Sequence, residues 1–300
     1  MVGKTQLLGN DHRKKVLIIP HVRKPGVKEL VLEVSNWLER HGAPYFLLER
    51  DAATLGLDLP FASLDSAGEI GLVIALGGDG TMLHAIDLMR GMDVPVVGIN
   101  IGKLGFLTAV DAHHSVSALD DIFAGKYVIS ERMPVGCTVS STGESSVYRA
   151  LNEIVVGKLI RERLIHISTY VNGLFFMRYS GDGLIFASST GSTAYSLSAG
   201  GPIVTPDLRC LLLTPICAHM LFARPMVLDA TDRVMVTVEG APERLSLSVD
   251  GRLDVEIPSG AAIEFYALEE TVKIMELVDA SFYGTVRRKF MRPPAGEDMS

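Results

Sequence analysis

The sequence predicts an α/β domain followed by an all-β, sandwich-like domain. Three observations carry this. Up to about residue 125, short apolar runs alternate with stretches of helical period, the pattern of a parallel sheet with flanking helices. In the middle of that stretch an apolar run, 70–76, meets a glycine turn, Gly77-Gly78-Asp79-Gly80-Thr81. After about Tyr127 the alternation stops and strand-like segments follow one another, which indicates an antiparallel sandwich or barrel.

Each element has its own signal. Residues 16–19 read as a short strand ended by Pro20. Val27, Leu30, Val31, Val34, Trp37 and Leu38 recur at three and four, so 27–41 reads as a helix closed by Gly42, with Trp37 in the core. Residues 45–48 form a second strand, and 54–68, with Gly, Pro and Ser, a loop. Beyond the glycine turn, Met82, Leu83, Ile86 and Met89 line one side of a helix that stops at Gly91. A strand over 94–99 and a helix over 116–124, ending at Gly125, complete the first part. The second part reads as strands 135–140, 148–156, 166–171, 174–179, 184–187, 233–238, 245–249, 262–266 and 272–277. Asn172-Gly173 and Asp250-Gly251 are turn signals between strands. Residues 281–291 read as a helix with Phe282, Val286 and Phe290 on one face, and Pro293-Pro294 begins a frayed end.

Composition excludes several classes. With 48% hydrophobic and 21% charged residues over 300 positions, the chain has material for a sizeable core and for two domains. A net charge of −7 speaks against nucleic acid as a partner, since phosphate backbones need a basic face. Cys137, Cys210 and Cys217 have no CxxC spacing and read as reduced thiols. The polar start, with His12, Arg13, Lys14 and Lys15, is no signal peptide, and no apolar run spans a bilayer, so the expectation is a cytoplasmic protein with no membrane partner.

Strand, glycine turn and helix place backbone N–H groups and a helix N-terminus against phosphate. Gly77, Gly78, Gly80 and Thr81 are the candidate phosphate cradle. The carboxylate of Asp79 would repel a phosphate, so it suits a metal or a substrate hydroxyl; the alternative is a helix cap. Walker A and GxGxxG patterns are absent, and Gly3-Lys4-Thr5 lacks the upstream strand that a P-loop requires. Asn152-Glu153 interrupts an apolar run, and an amide beside a carboxylate suits sugar hydroxyls; a strand edge or bend is the alternative. Residues 180–202 pack Ser, Thr, Gly and Tyr195 into a segment of little periodicity, as expected of a chain lining a site. Within it Asp182, between two glycines, reads as a carboxylate on a tight turn. Cys217 with His219, and His113-His114, lack further ligands and predict no metal site.

Taken together, LGGDGTML (76–83), VPVVGINIGKLGFL (94–107), Glu131-Arg132-Met133, ALNE (150–153), the segment 182–202 and Val249-Asp250-Gly251 resemble the NAD kinase family over nearly the whole chain. The glycine turn alone is shared with lipid kinases; its combination with ALNE and TGSTAYSLSAGGPI is far more specific. The resemblance implies an α/β domain over 1–127, completed by a returning tail, 278–300, and a β-rich NAD-binding domain over 128–277. It implies transfer of a phosphoryl group from ATP, or from another donor such as polyphosphate, to the 2′-hydroxyl of the adenosine ribose of NAD. A divalent cation such as Mg2+ would accompany the donor, with no dedicated protein cage. Homodimers or homotetramers are implied as well.

The resemblance also implies residue roles. Asp79 matches the proton acceptor. Asn152 and Glu153 match the holder of adenine and ribose, and Asp182 a contact to the nicotinamide end. Thr193, Ala194, Tyr195, Ser196, Leu197 and Ser198 match the adenine-side loop, and Phe106 an aromatic near the adenine. Gly80, His84 and Arg163 match further dinucleotide contacts; for the last two, a plain helix face and a surface charge are the alternatives. Ser189 and Ala218 stand where proline is common, and Arg252 where glutamine is frequent. A lipid kinase and a non-catalytic NAD-binding regulator are the rival readings.

Overall fold

The computed structural model describes residues 14–66, 68–102, 105–108, 110–141, 143–159, 164–239, 244–258 and 260–290. The start of the chain, Arg163 and Pro293-Pro294 lie outside the described residues. The chain divides into two compact units, Met1–Ser130 with Lys273–Ser300, and Glu131–Val272.

In chain order the elements are β1 (Lys15–Pro20), α1 (Val27–Arg40), β2 (Tyr45–Leu48), α2 (Glu49–Leu55), β3 (Phe61–Ala62), β4 (Ile70–Gly77), α3 (Asp79–Leu88), β5 (Val96–Asn100), β6 (Val110–Asp111), α4 (Ser115–Phe123) and β7 (Tyr127–Arg132). Then follow β8 (Val135–Ser141), β9 (Glu144–Ala150), β10 (Glu153–Lys158), β11 (Ile165–Val171), β12 (Leu174–Gly181), β13 (Gly183–Ser188), α5 (Tyr195–Ser198), β14 (Cys210–Ile216) and β15 (Met226–Asp229). The chain continues with β16 (Val234–Glu239), β17 (Arg244–Val249), β18 (Leu253–Pro258), β19 (Ala262–Ala267), β20 (Val272–Leu277) and α6 (Phe282–Phe290).

The first unit is built on a sheet of order β3-β2-β1-β4-β5-β20-β7, with β6 beside β5. The pairs β1–β2, β1–β4, β4–β5 and β5–β20 are parallel. All eight residues of β4 are buried, as a parallel strand covered on both faces requires. Leu30, Val34, Trp37 and Leu38 of α1 join the core beside β4, and Trp37 Nε1 donates to Asp120 Oδ1 of α4 at 3.0 Å. The registers Pro20↔Leu76 and Gly77↔Asn100 bring the carboxyl ends of β1, β4 and β5 to one level. In open α/β sheets that level is where ligands bind.

The second unit packs two six-stranded sheets, β15-β14-β13-β10-β17-β18 and β12-β11-β16-β19-β8-β9. Phe186 of β13 and Phe265 of β19 stack across the core, centroids 3.7 Å apart. Asn172-Gly173 and Asp250-Gly251 make the hairpin turns with positive φ at both positions, 51° and 80° in the first, 51° and 60° in the second. The first is the two-residue turn whose twist matches paired strands, with Val171 opposite Leu174; in the second Val249 pairs with Leu253, so Arg252 extends the turn to three residues.

The structure departs from the sequence reading in several places. Where the sequence predicts a loop from 54 and no element over 49–53, α2 occupies Glu49–Leu55, with Asp51 and Ala52 buried. The sequence predicts no strand at β3, β6, β7, β14, β15 or β18, although the Asp250-Gly251 turn signal lies just before β18. The run 148–156 is two strands, broken at Leu151-Asn152. Residues 272–277, read with the β-rich stretch, lie in the first sheet, with Ile274 opposite Val96. Their alternating pattern fits either sheet, and their partner lies far away in sequence.

Candidate active site

The first unit assembles one group of candidates at the carboxyl end of its sheet. Gly77 closes β4, and Asp79 is the first residue of α3. A Cβ on Gly77 would collide with the Thr81 hydroxyl, so only glycine allows this tight entry into the helix. Thr81 Oγ1 in turn accepts from the Gly78 N–H at 3.4 Å. The Asp79 side chain does not cap its own helix. Its Oδ1 accepts from the N–H groups of Leu107 and Thr108 at 3.0 and 3.2 Å and from the Thr108 hydroxyl at 3.2 Å. Its Oδ2 accepts from the Phe106 N–H at 2.8 Å. A Cβ on Gly105 would overlap this carboxylate, so the approach depends on a bare backbone there. Oδ1 is saturated, whereas Oδ2 keeps lone-pair capacity for one more partner.

Phe106 is anchored by the C-terminal helix. Its ring lies 5.9 Å from that of Phe290 and 6.3 Å from that of Phe282, with Lys289 Nζ 4.9 Å from its centroid. His84 sits on α3 with Nε2 2.9 Å from an Arg50 guanidinium nitrogen, so its ring is engaged by α2. Lys24, Asn100 and Thr108 also belong to this group and were missed. Asn100 had a signal: it is a polar residue closing an apolar strand.

The second unit assembles the other group. Asp250, in the β17–β18 turn, accepts from the N–H groups of Leu151, Asn152 and Glu153 at 2.9, 2.8 and 3.1 Å. This clamp breaks the strand and turns Asn152 out of the ladder. The 188–204 segment is fastened to the same place. Ser188 Oγ donates to Leu151 O at 2.5 Å, and the Ser188 N–H donates to Asn152 O at 2.8 Å. Gly191 lies so close to the Asn152 backbone that a Cβ would not fit. Ser192 Oγ donates to Val204 O at 3.0 Å, and Ser196 Oγ meets Thr214 Oγ1 at 2.8 Å, so Ser196 is structural. Ser189, where proline is common in the resembled family, ties the segment to Pro206 O at 3.1 Å. Tyr195 remains 44% exposed, with a face open for stacking. The structure therefore brings Asn152, Glu153, Thr193, Ala194, Tyr195 and the Asp250 turn together.

Asp182 lies where the chain passes from β12 to β13, not on a tight turn. Gly181 packs against Ile216 O and Gly183 against Val156 O, and neither tolerates a Cβ. Lys158 Nζ pairs with Asp182 Oδ1 at 2.5 Å. Lys158 was missed because it ends an otherwise ordinary strand.

Glu153 is 7% exposed, and its Oε2 has no hydrogen-bond partner among the described residues. Burial pushes its carboxyl up to about 7; the neighbouring Asp250 charge adds to this and a hydrogen bond from the Tyr195 N–H opposes it. Between its ordinary 4.5 and about 7 the folded protein therefore holds a proton that the unfolded chain has released. Stability falls as pH rises through that window, by on the order of 3 kcal/mol at most. The Glu153→Gln variant should lack this fall, so its melting temperature gains on the wild type from about pH 4.5 to 7 and holds a constant lead above. Parallel melting curves across that range would rule the assignment out.

Comparisons with known proteins follow the same division. The sequence profile of the ATP-NAD kinase N-terminal domain matches residues 16–127, and that of the ATP-NAD kinase C-terminal domain matches 151–277. The chain is 36% identical to the NAD kinase of Moorella thermoacetica over 285 residues, covering 95% of this chain and 92% of the relative. It is 37% identical to the NAD kinase of Symbiobacterium thermophilum over 277 residues, covering 92% and 98%. Among solved structures, yeast NADH kinase complexed with NADH gives a TM-score of 0.85 at 23% identity, covering 96% of this chain and 90% of that one. An NAD kinase from Archaeoglobus fulgidus in complex with ATP gives 0.72 at 24% identity, covering 91% and 98%. At these identities the solved structures speak for the fold.

Proposed function

The chain belongs to the NAD kinase family, and from that premise we propose how its residues perform the family reaction. The protein phosphorylates NAD to NADP, and the lipid-kinase and non-catalytic readings find no support in its relatives. The reaction needs an acceptor hydroxyl held still, a place for its proton, and neutralisation of the donor phosphates. In our reading Asp79 takes the proton of the adenosine 2′-hydroxyl through Oδ2, the oxygen with spare capacity. The three N–H groups and the Thr108 hydroxyl fix the direction of the carboxylate, which leaves the spare lone pair of Oδ2 for the proton. That grip is the single observation that carries the mechanism.

Gly77, Gly78, Gly80 and Thr81 line the phosphate turn. Asn152 and Glu153 hold adenine and ribose, Tyr195 stacks on the base, and Asp182 contacts the nicotinamide end. Thr193, Ala194, Leu197 and Ser198 shape the adenine side, with Ser196 supporting them. Phe106 and His84 are further contacts, and Arg163 lies outside the described residues. ATP is the donor, with inorganic polyphosphate the alternative. A divalent cation bound to the donor neutralises its phosphates. The described residues hold no cluster of three or more His, Cys, Asp or Glu side chains, and Asn100 Oδ1, buried without a partner, is the protein atom that suits such an ion. We further propose a cytoplasmic homodimer or homotetramer. No helix among the described residues is long and apolar enough to cross a membrane.

The test combines purified protein, NAD, magnesium and a panel of donors, with NADP read by a coupled NADP-specific dehydrogenase. NADP should form with at least one donor. Its absence with every donor, while diacylglycerol or sphingosine is phosphorylated, would overturn the reading. A second expectation concerns Tyr195→Ala. Stacking acts on ground and transition states alike, so KM for NAD should rise by about tenfold with kcat little changed. A loss confined to kcat would mean that the tyrosine serves the chemistry instead.

A further inference from the structure

The glycine turn has no lysine of its own in sequence, yet the fold delivers one. Lys24 lies in the turn between β1 and α1, at the level where β4 and β5 end, and is half-buried. Its Nζ is 3.4 Å from Gly77 O, an oxygen already served at 2.8 Å by the Ile101 N–H. An ammonium carries three donors, so this contact leaves most of its capacity unused. Among the described residues no carboxylate pairs with it.

The surroundings are bare on the side that matters. A Cβ on Gly78 or Gly102 would stand 3.8 or 4.0 Å from Lys24 Nζ, so both glycines keep a side-chain-free flank beside the ammonium. Asn100, 1% exposed, lies beside the same bare position of Gly78. Its Nδ2 donates to Gly102 O at 2.8 Å, while Oδ1 has no partner and faces Gly78 at 3.6 Å from the same Cβ position. Helix α3 starts at this point and runs for 10 residues; the Thr81 and Met82 N–H groups close on Gly78 O, and those of Asp79 and Gly80 have no partner among the described residues. An under-used cation, a buried unpaired acceptor and open backbone amides converge on one bare turn.

A chain of phosphates satisfies all three. Its anionic oxygens take the Lys24 and backbone donors, and the ion or water it carries takes the Asn100 oxygen. We propose that Lys24 and Asn100 seat the phosphates of the phosphoryl donor, with Lys24 supplying the charge that the glycine turn lacks. This rests on the kinase reading and extends it to residues outside the resembled motifs' assigned roles. A dinucleotide's own diphosphate has the same chemistry, so the experiment must separate the two sources.

The variants are Lys24→Met and Lys24→Arg, each checked by thermal melting. Removing a charge-assisted contact should raise KM for the donor by about tenfold or more and leave KM for NAD within about threefold. Arginine should restore most of the donor affinity. Independently of turnover, calorimetry with inorganic tripolyphosphate should show wild-type binding weakened by a similar factor in Lys24→Met. Equal tripolyphosphate affinity in the two proteins, no binding to the wild type, or a rise confined to KM for NAD would each overturn the assignment. A wild type that binds tripolyphosphate but makes no NADP would instead count against the kinase reading alone.

Discussion

Asp79→Asn should retain dinucleotide affinity and lose turnover by on the order of a hundredfold or more, the range for a missing general base. The geometry says why an amide cannot substitute. The carboxylate has two acceptor oxygens, one engaged by three donors and the other by the Phe106 N–H. Asparagine has one oxygen. With that oxygen toward Leu107 and Thr108, its NH2 group faces the Phe106 N–H, donor against donor, and offers no lone pair to a substrate proton. The reverse orientation opposes more donors. Some loosening of the 105–108 segment will accompany the loss, so melting temperature and NAD calorimetry belong beside the rate measurement. A variant with wild-type kcat would remove Asp79 from the chemistry.

Asp250→Ala should be the most destabilising single change among the site residues. It strips the acceptor from three successive N–H groups, those of Leu151, Asn152 and Glu153. An unpaired buried donor costs about 1–3 kcal/mol, so three approach the whole stability margin of a domain. A fall in melting temperature on the order of 10 °C is expected. NAD affinity should fall with it, because the clamp sets the direction of Asn152. Asp250→Asn, which tolerates the positive φ of 51° and keeps an oxygen, should recover part of both. A melting temperature unchanged in Asp250→Ala would refute the clamp.

Much of the architecture was legible because its signals are local. The α1 stripe, the fully apolar β4, the bare turn after it and the two positive-φ hairpins are all written in contiguous residues. What escaped depends on partners far along the chain. Asn152-Glu153 looked like neighbouring strand positions facing opposite ways; the strand is in fact cut by a carboxylate 98 residues from Asn152. Asp79 reads in sequence as a carboxylate for a metal or a substrate hydroxyl, or as a helix cap, and only the fold returns residues 105–108 to grip it. Lys24 sits in an unremarkable basic loop until parallel pairing of β1 with β4 brings it beside Gly77. His84 matched a motif position, but its ring lies against Arg50, which no motif names. Ser196 matched as well, and packing makes it a support.

The placement of β20 bears on how the molecule comes into being. This strand stands between β5 and β7, so the first sheet has a gap until residue 277 has been added. Helix α6, which anchors the Phe106 ring, arrives later still. On the ribosome, strands β1 to β7 must wait for residues 272–277 before their layer can close. Prematurely terminated products would therefore be left with an open seam along β5, a natural target for quality-control proteases.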